Sequence, residues 1–184
     1  MPAQKVACLL DGGYEDSEFR VPYDALKKAG YQVDIIGMKA GAELKGYKGK
    51  ESVKTDKSTD EVKPGDYAAL LIPGGNSPDH LRVDDRFVQF VKAFDALKRP
   101  LAAVCHGPQL LLSARLVKGR TLTAWSTIQG DLDQAGAKVV DEVVVTDQNW
   151  ITSRKPEDLP KFTEALLAAL KTEERRGANG QVRV

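Results

Sequence analysis

The chain has 184 residues and a formal net charge of +1; 42% of its residues are hydrophobic and 29% are charged. A chain of this length and composition can bury the core of one ordinary globular domain. The balanced charge gives no support for nucleic acid or an anionic membrane surface as a partner, and no apolar run approaches the ~20 residues of a membrane span.

Short apolar runs alternate along the chain with longer amphipathic segments. Strands are predicted at residues 5–11, 31–37, 67–75, 100–105, 137–140, 142–147 and 150–153. Helices are predicted at residues 17–29 (with Ser17 as N-cap), 84–97, 107–116, 127–135 and 156–170. The charged segment 39–64 is predicted to be a loop with a short strand or hairpin near residues 52–53. The last residues, 172–184, are predicted to be a disordered or loosely docked tail.

This alternation of strands and helices predicts βαβ units in a single domain over residues 1–171. The sheet is expected to be mainly parallel, with helices on both faces. Ligands of such sheets bind beyond the carboxyl ends of the strands. Three glycine-containing breaks follow predicted strands and are expected at that edge: Asp11-Gly12-Gly13, Pro73-Gly74-Gly75 and Cys105-His106-Gly107.

The two cysteines, Cys8 and Cys105, fall on separate predicted strands, and the chain has two histidines. The start of the chain lacks the long apolar region and the cleavage site of a secretory signal. Reduced thiols in the cytoplasm are therefore expected. Neither a metal nor a cofactor is expected, because two histidines and two separated cysteines make a poor zinc site.

Cys105 is placed between a buried strand and a helix, where a sharp turn pushes a side chain out over the sheet edge. Amide dipoles at the helix start are expected to lower the pKa of Cys105 and favour the nucleophilic thiolate. The same amides, together with the amide of Gly75, can stabilise an oxyanion. From position alone, a small buried hydrophobic residue fits Cys105 equally well. Cys8, inside a strand, is expected to be structural.

Acid–base candidates lie close to these breaks in sequence. His106 can act as a base, although neighbours on a tight turn often point apart, and His80 is the other histidine. Glu15 and Glu18 follow the first strand. A carboxyl group kept protonated beside the sulfur would donate a hydrogen bond to the thiolate. Trp125 is expected either to pack in the core or to line the pocket.

The segment "AVCHGPQLLLSA", preceded by "PGG" and by "EFRVP", closely resembles the PfpI family of the class I glutamine amidotransferase-like superfamily. The resemblance covers residues 5–170. It implies a flavodoxin-like three-layer α/β sandwich with a nucleophile elbow. Carried over by position, it implies the following roles: Cys105 as nucleophile, His106 beside it, Glu18 as the carboxyl group on the sulfur with Glu15 nearby, Gly75 and His106 as amide donors, and Trp125 at the pocket.

In PfpI-type oligomers a glutamate of a neighbouring subunit reaches the histidine, and the matching position here is Asp79, one methylene shorter. The resemblance thus implies a homodimer or a higher homo-oligomer. "TAWSTI" also departs from the family, since Ser126-Thr127 replaces the usual Pro-Gly. The rim of the pocket is therefore expected to differ.

The family includes intracellular cysteine proteases, general stress proteins and glyoxalase III or deglycase enzymes. A cysteine-dependent stress-response protein acting on reactive carbonyls is favoured, because thiolate addition to a small aldehyde needs only Cys105 and one acid–base group, Glu18 or His106. One alternative is a cysteine peptidase whose oligomer places Asp79 beside His106. The other is a non-enzymatic sensor of oxidative stress that works through oxidation of Cys105. The expected substrate is accordingly a small aldehyde, a glycated molecule or a peptide.

Overall fold

The computed structural model describes residues 4–180 of the chain. The strands are β1 (Lys5–Leu9), β2 (Gln32–Gly37), β3 (Glu43–Lys45), β4 (Ser52–Lys54), β5 (Lys57–Ser58), β6 (Ala69–Ile72), β7 (Leu101–Val104), β8 (Thr121–Leu122), β9 (Lys138–Val139), β10 (Val145–Asp147) and β11 (Trp150–Ser153). The helices are α1 (Asp16–Lys28), α2 (Ser77–Leu81), α3 (Asp85–Ala96), α4 (Gln109–Ser113), α5 (Ser126–Gln134) and α6 (Leu159–Gly180).

A seven-stranded sheet with the order β10-β11-β7-β6-β1-β2-β5 forms the centre. All neighbouring strands in it are parallel except β10 and β11. This arrangement confirms the predicted mainly parallel sheet. β1, β6 and β7 lie side by side, so the three predicted breaks meet at one edge of the sheet, beyond the carboxyl ends of its central strands.

Two layers of helices cover the sheet, because successive side chains of its strands point to opposite faces. In β1, Ala7 and Leu9 pack with the cluster that contains Phe87 of α3. Cys8 points to the other face, into the cluster that contains Phe19 of α1 and Phe162 of α6. All six of these side chains are fully buried. The three-layer sandwich therefore agrees with the expected fold class.

The helix boundaries differ from the predictions at three places. α1 is capped by Glu15, whose carboxylate accepts from the Glu18 amide at 2.9 Å, and not by Ser17. The five-residue α2 was not predicted, and α4 ends at Ser113, before the expected residue 116. A helix of one or two turns shows too little periodicity to be recognised from its sequence.

The closing helix runs past the predicted end at residue 170 and continues to Gly180. Residues 172–180 are thus helical where a disordered or loosely docked tail was expected; residues 181–184 lie outside the described part. Large apolar residues stop at Leu170 within the described chain. Beyond it, Glu173 and Arg176 are good helix formers and make an i,i+3 ion pair, which favours the extension, while Gly177 and Gly180 do not. The added turns have mostly exposed side chains.

Cys8 and Cys105 are both free thiols. Over residues 4–180, no helix is at once long enough and apolar enough to cross a membrane.

Candidate active site

Cys105 lies at the turn that joins β7 to α4, immediately after the last residue of the strand. Its φ is +62°, a left-handed conformation that non-glycine residues rarely adopt and that recurs at functional turns. The surrounding backbone holds the turn: the Cys105 amide donates to the Ser153 carbonyl at 3.0 Å, and the Trp125 amide donates to the Cys105 carbonyl at 2.9 Å. The predicted sharp turn is therefore present.

Gly107 allows the chain to turn back tightly against the sheet. A Cβ atom at this position would lie 2.5 Å from the carbonyl oxygen of Ile72 and 3.0 Å from that of Val104. Both oxygens belong to strand backbone and cannot move aside. A glycine is therefore required two residues after Cys105 for α4 to begin where it does.

Glu18 brings a carboxyl group to the sulfur. It lies in the first turn of α1, is fully buried, and lies close enough to the Cys105 thiol that each group shifts the pKa of the other. Its Oε2 accepts from the Gly74 amide at 3.1 Å. Burial raises the pKa of Glu18 to about 8, and the charge of Glu15 contributes to the rise. Glu18 is therefore protonated at neutral pH and can donate a hydrogen bond.

Glu15 acts on the site indirectly, by holding Glu18 in place. Its Oε2 accepts from the Ser17 hydroxyl at 2.5 Å as well as from the Glu18 amide, and its Oε1 lies 3.7 Å from Lys48 Nζ. As the N-cap, Glu15 fixes the first turn of α1 and so fixes where Glu18 points. The sequence placed Glu15 near the site but did not identify this capping role.

The pKa of Cys105 departs from the expectation. Burial and then the neighbouring Glu18 carboxylate raise it, while hydrogen bonds from the amides of His106 and Gly75 lower it without reversing the rise. The predicted net lowering is therefore wrong, because the sulfur is more deeply buried than a strand-end position indicates. Below about pH 8, Glu18 takes up its proton, which removes the repulsion between its carboxylate and a Cys105 thiolate.

The backbone amides of Gly75 and His106 act on the sulfur and lower its pKa. Gly75 is held by an isolated bridge to Tyr14 and has φ +77°, which glycine adopts without strain. The Glu15 amide donates to the Gly74 carbonyl at 3.1 Å, so the loops after β1 and β6 are joined. A pair of amides at the nucleophile is the arrangement that stabilises an oxyanion; that role remains a prediction.

His106 is half-buried beside Trp125, with 6.5 Å between the ring centroids. Burial lowers the pKa of His106, and the negative charge of Asp79 in the same chain opposes the change. The imidazole is therefore mainly neutral at neutral pH and can accept a proton. Asp79 is exposed on α2. The prediction that the Asp79 of a neighbouring subunit reaches His106 stays untested.

The hairpin β3–β4 supports the site, a role that was not predicted from the sequence. The Gly13 amide donates to the Lys45 carbonyl at 2.8 Å, and the Tyr47 amide donates to the Tyr14 carbonyl at 2.7 Å. The hairpin thereby pins the loop between β1 and α1, which leads to Glu18. The charged sequence of this segment is typical of a loop. Contacts between residues more than 30 positions apart leave no pattern in the local sequence.

Within the described residues, no group of three or more His, Cys, Asp or Glu side chains could hold a metal ion. A cavity of about 630 Å³ lies elsewhere, between the β10–β11 turn and α6, and is lined by Gln148 and Arg176 among others. A neighbouring cavity of about 430 Å³ is lined by Arg99 and Glu173 among others. Neither includes Cys105, so neither is the site described here.

Gly74→Ala should disrupt the contact between Glu18 and Cys105. A Cβ atom at Gly74 would lie 2.5 Å from Glu18 Oε2 and 2.9 Å from Cys105 Cβ, so one of the two groups must move. We expect alkylation of Cys105 by iodoacetamide to change rate by about tenfold or more, because small displacements of reacting groups have large effects.

Gly12→Ala is the matched control for this substitution. Gly12 follows the central strand β1, as Gly74 follows the neighbouring strand β6, but a Cβ atom at Gly12 meets nothing within 4 Å. Its alkylation rate should equal that of the wild type. Equal rates for Gly74→Ala and Gly12→Ala would show that the close approach at Gly74 does not position the reactive groups.

Comparison with known proteins adds a family relationship to this geometry. Residues 4–169 match the model of the DJ-1/PfpI family. The chain is 48% identical to general stress protein 18 of Bacillus subtilis over 168 residues, which cover 91% of this chain and 98% of the relative. It is 48% identical to protein/nucleic acid deglycase 2 of Escherichia coli over 169 residues, with the same shares covered.

A solved structure is also similar. It belongs to a two-domain protein from Anabaena variabilis that contains DJ-1/ThiJ/PfpI-like and ferritin-like domains. The match has a TM-score of 0.90 and 40% identity, and it covers 91% of this chain and 48% of that protein, so this chain spans about half of its length.

Proposed function

The chain belongs to the DJ-1/PfpI family, and we propose that it is a cysteine-dependent stress-response protein of the PfpI type that acts on reactive carbonyls as a glyoxalase III or deglycase does. The observation that carries the proposal is the convergence on one sulfur, Cys105, of the Glu18 carboxyl group and the amides of Gly75 and His106. The names of the two relatives that are 48% identical support it.

The first step is addition of the Cys105 sulfur to the aldehyde carbon of a 2-oxoaldehyde such as methylglyoxal. A sulfur–carbon bond forms, and the C=O double bond becomes a single bond. The step starts from the form of the pair in which Cys105 is the thiolate and Glu18 holds the proton. That proton passes to the carbonyl oxygen, leaving a hemithioacetal and a Glu18 carboxylate. Hydrogen bonds from the Gly75 and His106 amides stabilise the negative charge that develops on the oxygen.

The second step moves hydrogen within the bound substrate. The Glu18 carboxylate, or the neutral His106 imidazole, removes the proton from the former aldehyde carbon and returns a proton to the adjacent ketone carbon. The hydroxyl proton passes to the oxygen of that carbon. The product is a 2-hydroxy thioester, so the aldehyde carbon is oxidised and the ketone carbon is reduced with no external electron acceptor.

Hydrolysis completes the cycle. Water forms a carbon–oxygen bond at the thioester carbon, the sulfur–carbon bond breaks, and a proton returns to the Cys105–Glu18 pair. Methylglyoxal then leaves as lactate. In deglycation, the same sulfur would act on the adduct that the dicarbonyl forms with an amine.

Incubation of the purified chain with methylglyoxal tests the proposal. We expect lactate to form in amounts that match the methylglyoxal consumed, with no added metal or nucleotide cofactor. Consumption of methylglyoxal without lactate would indicate simple trapping by lysine and arginine side chains, and would contradict the proposal.

Oxidation of Cys105 is a second candidate function, and the contrast between the two thiols favours it. Cys105 is 8% exposed and lies beside the Glu18 carboxyl group, whereas Cys8 is fully buried inside β1. Two equivalents of hydrogen peroxide, each reduced to water, would convert the Cys105 thiolate to a sulfinate. The protonated Glu18 could then donate a hydrogen bond to a sulfinate oxygen.

Dilute peroxide should therefore add two oxygen atoms to the peptide that contains Cys105 before it modifies the peptide that contains Cys8. Mass spectrometry of the digested protein over time measures the order. Simultaneous modification of both peptides would remove the case for a dedicated redox role, because Cys8 serves as the unactivated reference in the same molecule.

The peptidase alternative requires one more feature at the site. It needs a base that stays well oriented during peptide cleavage, whereas Asp79 of the same chain acts on His106 through its charge. A partner subunit could supply an orienting contact through its own carboxylate. We therefore include a homodimer or a higher homo-oligomer in the proposal. The proposal also includes a cytoplasmic location and a substrate that is an aldehyde, a glycated molecule or a peptide.

A further inference from the structure

Asp11 and His80 form a pair beside the proposed active site that the chemistry above does not use. His80 Nδ1 lies 3.2 Å from Asp11 Oδ2, and the two side chains are 52% and 22% exposed. Asp11 lies in the loop that leads from β1 toward Glu18. Its own amide donates to the hydroxyl of Ser77 at 2.8 Å, and Ser77 is fully buried at the start of α2.

The helix that carries His80 connects two parts of the site. α2 begins two residues after Gly75, whose amide faces the Cys105 sulfur, and it carries Asp79, whose charge acts on His106. The orientation of α2 therefore sets the position of the Asp79 charge and contributes, together with the bridge to Tyr14, to that of the Gly75 amide. α2 has only five residues, and a helix of that length is not stable without tertiary contacts.

The contacts that hold α2 come from two directions. The Asn76 amide donates to the Gly13 carbonyl at 2.8 Å, which fixes the start of the segment. Arg82, just after α2, donates from Nε to the Ser113 hydroxyl at 2.9 Å and fixes its end. Between these ends, the pair of His80 with Asp11 ties the helix itself to the loop after β1.

We propose that His80 is a positioning residue: its contact with Asp11 holds α2 in the orientation that directs the Gly75 amide at Cys105 and the Asp79 charge at His106. The contact brings His80 Nδ1 to 3.2 Å from Asp11 Oδ2, beside the hydrogen bond that the Asp11 amide donates to Ser77. The test by lactate formation rests on the proposed function, whereas the test by alkylation of Cys105 does not.

His80→Leu and His80→Asn in the full chain separate the contact from the rest of the side chain. Leucine removes the donor, whereas the Nδ2 of asparagine takes the place of Nδ1 and donates to Asp11. We expect His80→Leu to lower the rate of Cys105 alkylation by iodoacetamide about fivefold, equivalent to about 1 kcal/mol. His80→Asn should stay within about twofold of the wild type.

Lactate formation from methylglyoxal provides the second readout. His80→Leu should lower kcat by a similar factor and leave KM within about twofold, since the contact positions reacting groups and does not bind substrate. Arg86→Leu is the control, because it removes the ion pairs of Arg86 with Asp84 and Asp60 at the start of α3, none of which involves α2 or the residues around Cys105. It should leave both readouts unchanged.

Asp11→Ala tests the partner. Alone it should reproduce the loss seen in His80→Leu, and the double variant should lose no more than either single variant. Additive losses, a wild-type alkylation rate in His80→Leu, or failure of His80→Asn to restore the rate would each overturn the proposal. If the wild type makes no lactate, the proposed function fails, but alkylation still decides the role of His80.

Discussion

Cys105→Ala should abolish the formation of lactate from methylglyoxal, lowering the rate by at least about a thousandfold. The sulfur forms and later breaks the bond to the substrate, so no other group can replace it in the proposed cycle. The two amides and Glu18 would remain, and they account for the residual rate that such variants usually keep. Measurement of lactate over a long incubation at high enzyme concentration sets the upper limit.

Cys8→Ala is the matched control for this experiment. It also replaces a buried thiol, in β1, and should cost about 1 kcal/mol of stability while leaving the rate near that of the wild type. Comparable losses in the two variants would trace the effect to stability. A Cys105→Ala variant that still makes lactate at the wild-type rate would exclude thiol catalysis altogether.

Glu18→Gln should lower the rate of lactate formation by about a hundredfold or more, since glutamine can donate a hydrogen bond but cannot transfer a proton at neutral pH. It should also change how stability depends on pH. Folding raises the pKa of Glu18 from its ordinary value of 4.5 to about 8, so between these values the folded chain holds a proton that the unfolded chain has lost. The contribution of the Glu18 proton to the free energy of unfolding is therefore complete below the unfolded pKa of 4.5, and it is lost as pH rises through the folded pKa of about 8.

Because Glu18→Gln does not titrate, its stability relative to the wild type should increase as pH rises from about 5 to about 8. Urea denaturation of both proteins at each pH measures this difference. A constant difference across that range would mean that the folded state does not hold the Glu18 proton. Glu15→Gln is an informative comparison, because it removes a neighbouring negative charge that raises the pKa of Glu18, and it should lower that pKa.

The alternation of strands and helices was enough to predict the sheet and its two helical layers, because buried parallel strands and amphipathic helices have distinct periods. The break after each central strand likewise placed Cys105 and Gly75 at one edge. Glu18 needed the resemblance to a known family, since three acidic residues lie within four positions and composition does not distinguish them.

The remaining features depend on contacts that are distant in sequence. N-cap propensity favours Ser17 over Glu15, and the prediction that followed it was wrong, because the Glu15 carboxylate accepts from the Glu18 amide. The sign of the pKa shift of Cys105 depends on how deeply the sulfur is buried, which no local pattern encodes. The pair of Asp11 with His80 joins residues 69 positions apart and leaves no signal in either segment.

The outermost strands of the main sheet have a consequence for how copies of the chain can meet. β5 has only two residues and β10 has three, so each edge leaves few backbone amides and carbonyls free to pair with a foreign strand. Short edges of this kind protect a sheet from fibrillar growth. The main sheet therefore offers little backbone for a foreign strand to extend, and we expect the fold to resist amyloid-like growth from either of its edges.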